Sequence, residues 1–124
     1  MREPIRDLPR VEHILEAIDN ALSYTAEVSK DQLLSDKILL HATIYNIQII
    51  GEAVNKLPSG FKERHAQIPW RQIEKMRHIL VHDYYKVNFD FVWLVLQDDL
   101  HPLRKNLLAI LEEEKKSSAH SDSA

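Results

Sequence analysis

Between Asp36 and Leu57 the chain carries apolar side chains around nearly the whole circumference of a helix. Ile38, Leu39, Leu40, Ala42, Ile44, Tyr45, Ile47, Ile49, Ile50, Ala53 and Val54 recur without leaving a wide polar face. A helix of that kind has to be covered on more than one side. A chain of 124 residues makes one domain with one core. Its other helices supply part of the cover, and a second copy of the chain is expected to supply the rest, giving a homodimer. The stretch stops at Pro58-Ser59-Gly60. His41, Asn46, Gln48 and Glu52 interrupt it too often for a membrane span.

The rest of the chain is also helical in period. With two glycines and five prolines and apolar residues spaced by three and four, the fold is expected to be all-α, an antiparallel four-helix bundle. A first helix is expected from Leu8 to Val28, with Pro9 in its first turn and Leu8, Val11, Ile14, Leu15, Ile18, Leu22 and Thr25 as its core stripe. A connector from Ser29 to Ser35 holds a turn at Gln32-Leu33-Leu34. After the Asp36–Leu57 helix comes a loop, Phe61 to Ile68, with a single turn. Pro69 then opens a third helix, Trp70 to Val81, with Trp70, Ile73, Met76 and Leu80 inward. Asn88 caps a fourth helix running to Glu114, which Pro102 is expected to bend because it cannot donate to the Asp98 carbonyl. The domain is then residues 1–114, and the polar stretch 115–124 is expected to be a disordered tail.

Charge and composition narrow the function. The net charge of −3 argues against a general nucleic-acid binder, but it is unevenly spread. Lys56 to Lys86 holds seven basic residues against three acidic ones, enough to meet a few phosphates while the acidic remainder discourages indiscriminate binding. The absence of cysteine removes disulfides and thiolate chemistry and fits a cytoplasmic setting. The N-terminus leads into no apolar run, so no secretory leader is expected.

The densest chemistry lies in Met76-Arg77-His78-Ile79-Leu80-Val81-His82-Asp83-Tyr84-Tyr85. Arg77 and His82 fall about 140° apart on an ideal helix. A joint role therefore needs the helix to end or distort near Val81, or a second subunit to complete the site. Cleaving RNA through its own 2′-hydroxyl needs a base, an acid and positive charge on the phosphorane. Two copies of Arg77 and His82 across one cleft would supply all three without metal. His78 and His82, at i and i+4, offer a rival reading as zinc ligands with Asp83 or His41. The glutamate that should follow the first histidine in that signature is Ile79 here. Asn46 and Glu52, polar on an apolar helix, line either a polar seam or the cleft, together with His78 and Asp83.

Arg77-x4-His82-x-Tyr84 resembles the Arg-x4-His-x-Tyr motif of the HEPN superfamily in its HepT-like (DUF86) branch. Arg6-Asp7-Leu8 through Ile14-Leu15-Glu16-Ala17-Ile18, Ile49-Ile50-Gly51-Glu52-Ala53 and Ile68-Pro69-Trp70 are similar to that branch as well, in the same order. The resemblance implies a dimeric HEPN bundle acting as a metal-independent endoribonuclease toxin of a type VII toxin–antitoxin pair. No cofactor is implied. Arg77 would hold the scissile phosphate and His82 would be the general acid or base. Tyr84 would be the tyrosine that an MntA-type nucleotidyltransferase antitoxin AMPylates. The alternative the resemblance allows is a non-catalytic module that binds nucleotide or substrate for such a nucleotidyltransferase.

Overall fold

Side-chain hydrogen bonds decide several of the helix ends. In the computed structural model, which describes residues 7–82 and 89–122 with side chains through 116, α1 spans Leu8–Tyr24. It ends one turn before the expected Val28, where the Thr25 hydroxyl donates to the Ala21 carbonyl at 2.8 Å. Ser29 then opens a helix of its own, α2, Lys30–Ser35. Its Oγ accepts from the Gln32 N–H and the Gln32 side chain accepts from the Ser29 N–H, at 3.2 and 2.8 Å. This reciprocal box satisfies two otherwise orphaned donors. It turns the expected connector into a six-residue helix that drives Leu33 fully into the core. Asp36 caps α3, Lys37–Lys56, by accepting from the Leu39 N–H.

The expected loop after Pro58 is a short helix, α4, Ser59–Arg64. Its end carbonyls are met from outside the helix, because the indole N–H of Trp70 lies 3.1 Å from the Lys62 carbonyl and 3.0 Å from that of His65. Trp70 begins α5, Trp70–His82. Its inward side is Trp70, Ile73, Met76 and Leu80, as the spacing predicts.

The last helix is interrupted in an unexpected way. α6, Asp90–Leu94, passes into a π-helical turn, Val95–Asp99, and then into α7, Leu100–Asp122. Pro102 leaves the Asp98 carbonyl without a donor and crowds it. The chain widens just upstream, with Leu100 N–H bonded to Val95 O. The expected Asn88 cap lies outside the described residues. Nor does the helix stop at Glu114. The strong helix formers Glu112, Glu113, Lys115 and Lys116 are spaced to pair along it, and Lys115 reaches Glu12 on α1 at 3.7 Å. The segment from 115 to Asp122 is therefore helical in place of the disordered tail expected from its composition.

Cross-helix pairs give the directions. Asp19 meets Arg104 and Glu12 meets Lys115, so α1 and α7 run antiparallel. Gly51 meets Arg77 and the Gln48 side chain donates to the Leu80 carbonyl, so α3 and α5 do too. Asn20 donates to Asn46, and Arg10 shares a cavity with Lys56, which sets α1 against α3 in the same sense. The fold is the all-α bundle the periodicity predicts. Among the described residues no helix is long and apolar enough to cross a membrane.

The π turn also sets Asp98 and Asp99 at the rim of a cavity of about 320 Å³ between α5 and α7, floored by Met76, Ile79, Phe91 and Leu103. Burial first, and the adjacent Asp98 charge second, hold the Asp99 carboxyl above its usual range. An acid raised in the folded state costs stability as pH climbs from the ordinary carboxylate range through the raised value. Asp99→Asn is therefore expected to raise the urea midpoint modestly at neutral pH, since much of the side chain stays in water. The advantage should shrink as pH falls into the ordinary carboxylate range. An equal or larger advantage there would contradict this.

Candidate active site

Arg77 is placed by a missing side chain on another helix. A Cβ added at Gly51 would lie 2.2 Å from the Arg77 Cβ and 3.0 Å from its Cγ, so only glycine lets α3 and α5 approach this closely. No glycine in the described chain has positive φ. The requirement at Gly51 is thus for space. The arginine is half-buried, its stem lies against α3, and its Nε is buried without a hydrogen-bond partner. Glu74, the carboxylate one turn away that would otherwise neutralise it, is held by Lys62 at 2.6 Å. Buried donors left unpaired are rare and call for a reason. A guanidinium fixed in position and not spent on a carboxylate is suited to holding a phosphate.

His82 lies on a different face. α5 stays regular through His82, so the helix neither ends nor distorts at Val81, and the ~140° between Arg77 and His82 stands. His82 is exposed, and its ring lies 4.5 Å from that of His78, tilted by 45°. This contact can fix the orientation of the His82 ring. The chain thus presents an unpaired arginine toward α3 and an imidazole pair toward solvent.

The other candidate residues divide. Glu52 is exposed beside Gly51 and pairs with Lys56 at 3.6 Å. Asn46 turns away from α5. Its amide donates to the Ala42 carbonyl at 2.9 Å and its oxygen accepts from Asn20 at 3.3 Å. It belongs to the α1–α3 seam, not to the surroundings of Arg77. Asp83 and Tyr84 lie outside the described residues. Among the described residues no group of three or more His, Asp or Glu could hold a metal ion, so the His78–His82 pair has no third ligand there.

Sequence reasoning missed His65. It is 4% exposed, its Nε2 lies 2.9 Å from the Glu114 carboxylate, and its ring packs 4.8 Å from that of Phe61. The pair clasps the α4 end to α7. Its partners are too far apart in the chain for spacing to signal them.

A family model described as "Ribonuclease HepT-like" matches residues 14–110. The "Putative RNase TTE0752" of Caldanaerobacter subterraneus subsp. tengcongensis is 35% identical over 107 residues, 86% of this chain and 96% of that protein. The "Probable ribonuclease HepT" of Thermococcus cleftensis is 36% identical over 94 residues, 76% of this chain and 86% of that one. A longer relative from Methanocaldococcus jannaschii, named "Gamma-glutamylcyclotransferase and putative RNase MJ0434", is 39% identical over 101 residues. These are 82% of this chain but only 46% of the relative. No solved structure gives a significant match. The matched span runs from within α1 to the middle of α7 and contains both Gly51 and the Arg77–His82 motif; the chain belongs to the HepT-like ribonuclease family.

Proposed function

We propose that this protein is a metal-independent endoribonuclease, acting as a homodimer, and the toxin of a type VII toxin–antitoxin pair in the cytoplasm. The observation that carries the reading is the Arg77 guanidinium, wedged against Gly51 with its Nε buried and unpaired. One His82 takes the proton from a 2′-hydroxyl and O2′ attacks phosphorus. Arg77 neutralises the non-bridging oxygens of the phosphorane, and a second His82 protonates the departing 5′-oxygen. The products are a 2′,3′-cyclic phosphate and a 5′-hydroxyl.

Two features support a shared cleft. The regular α5 separates Arg77 and His82 by face, so a joint role draws on a second copy. On α3, Ile38 is 84% exposed and Tyr45 63%. They stand seven residues apart on a ridge that continues to Glu52 and flanks the Gly51–Arg77 contact. Exposed apolar side chains in such a row are suited to an interface between copies.

Tyr84, by its place in the motif, is the proposed target of a partner nucleotidyltransferase. Its phenol oxygen attacks the α-phosphate of ATP, with Mg²⁺ supplied in the partner, and pyrophosphate leaves. The added AMP places negative charge and bulk two residues from His82, which repels an RNA phosphate.

The test is cleavage of single-stranded RNA in chelator, with the ends mapped and the mass in solution measured alongside. The expected result is 2′,3′-cyclic phosphate ends from a dimer, with Ile38→Glu/Tyr45→Glu giving an inactive monomer. Products with 3′-hydroxyl ends, loss of activity in chelator, or a fully active monomer would overturn the reading.

A further inference from the structure

α5 carries a second ordered feature on its outer side. Arg71, Lys75, His78 and His82 follow one another at spacings of four, three and four residues, and all four are exposed. On a regular helix they fall within about 60° of arc, over a rise of about 16 Å. The row therefore runs straight from the α4–α5 elbow to the His78–His82 ring pair.

Nothing on the helix cancels its charge. Glu74 is the one carboxylate between Trp70 and His82, and it lies off the row, taken by Lys62 at 2.6 Å. Arg71 and Lys75 pair with no carboxylate among the described residues. Lys75 also borders the cavity that holds Asp98 and Asp99, yet neither comes within ion-pair distance of it. Behind Arg71 is an open hollow of about 630 Å³ along α4 and the start of α5, lined by Ser59, Lys62, Trp70 and the carboxylates Glu63 and Glu74 among others, with Glu74 taken by Lys62. At the other end, each imidazole has at least one N–H to offer a phosphate oxygen in any protonation state. A lane of uncancelled cations that ends in acid–base groups has the form of an electrostatic track for a polyanion. A solvated helix face would carry charges of both signs in the same row.

We propose that Arg71 and Lys75 form a phosphate-binding lane that lays single-stranded RNA along the outer face of α5 and delivers it to the His78–His82 pair. The lane rests on the ribonuclease reading and adds to it a direction of approach, from the α4–α5 elbow toward the chemistry. It engages backbone phosphates, so it confers affinity without base preference.

Binding is measured with a fluorescent 2′-O-methyl RNA of roughly 12 nucleotides, a length within the range of sequence-tolerant single-strand sites. Its blocked hydroxyls prevent cleavage by the proposed route, so the readout does not depend on turnover. Each lost phosphate contact lowers the slope of log affinity against log salt by about 0.7 for a single strand. Arg71→Gln/Lys75→Gln is therefore expected to lower the slope by about 1.4 and to weaken binding about 25-fold near 0.1 M salt. Arg71→Lys/Lys75→Arg should keep both, and Lys37→Gln/Lys105→Gln, which removes equal charge elsewhere, should leave the slope unchanged. A slope in Arg71→Gln/Lys75→Gln equal to that of the Lys37/Lys105 control overturns the lane, while RNA cleavage by the parent protein would still stand. Normal lane behaviour without any cleavage overturns the ribonuclease reading alone. Failure of the parent protein to bind the RNA overturns both.

Discussion

Gly51→Ala is expected to unfold at a temperature several degrees lower and to cleave RNA about 100-fold more slowly, the scale of loss that follows a displacement of about 1 Å at a reacting centre. In an ordinary helix interior this exchange would stabilise by about 1 kcal/mol. Here the new methyl would lie 2.2 Å from the Arg77 Cβ, a separation that non-bonded carbons do not adopt. Either α3 and α5 move apart or the arginine stem leaves its place. Overpacking of this kind costs about 1–3 kcal/mol, and the displaced group is the one proposed to hold the phosphate. Gly60→Ala is the matched control, because a methyl there meets nothing within 4 Å. It should be neutral or slightly stabilising, with full activity. A Gly51→Ala protein as stable and as active as the Gly60→Ala one would contradict the account of how Arg77 is placed.

The second large effect concerns the motif side chains. Arg77→Ala and His82→Ala are each expected to lower kcat by about 10² to 10⁴, the range for losing a positioned proton-transfer group or a preorganised charge on the transition state. Arg77→Lys should recover only part of the loss, since an ammonium lacks the planar fork that a phosphate accepts. His78→Ala should cost less than His82→Ala, because in the proposed mechanism His82 exchanges the proton and His78 only steadies its ring through the contact at 4.5 Å. His82 is exposed, so His82→Ala should leave thermal unfolding unchanged. A His82→Ala protein with undiminished turnover would remove it from the chemistry.

The helix faces are legible in the sequence because apolar spacing reports burial directly. The α1 stripe from Leu8 to Ile18 and the α5 stripe from Trp70 to Leu80 lie inward as their periods predict. The ends of elements are less legible, since they turn on single hydrogen bonds. Ser29 and Gln32 build a helix where spacing shows only a connector. Pro102 signals trouble in the last helix, but not that the chain answers with a wide turn at Val95–Asp99 in place of a sharp bend. At the site, the stretch around Arg77 and His82 stands out by its residue types. The motif that joins the two is picked out by the family resemblance, since their spacing alone arises easily by chance. The reason for Gly51 does not stand out, because it exists only once α5 lies across α3, and the Arg77 stem it admits is 26 positions away in the chain. The His65–Glu114 clasp joins residues 49 apart and is invisible for the same reason. Asn46 reads by its spacing as a polar residue of either the seam or the cleft, and its bonds to Asn20 and to the Ala42 carbonyl place it in the seam.

That amide pair has a bearing on the fold as a whole. Helices faced with isoleucine, leucine and alanine are slippery: α1 displaced along α3 by one turn would still find oily neighbours. It would not find an amide. Asn46, 5% exposed, would keep its bond to the Ala42 carbonyl but lose the Asn20 donor to its oxygen, a loss of about 1 kcal/mol. The pair acts as a detent that holds α1 and α3 at one relative height. Gly51 sits five positions further along the same helix, so the notch that receives Arg77 stands at the same level in every copy of the protein.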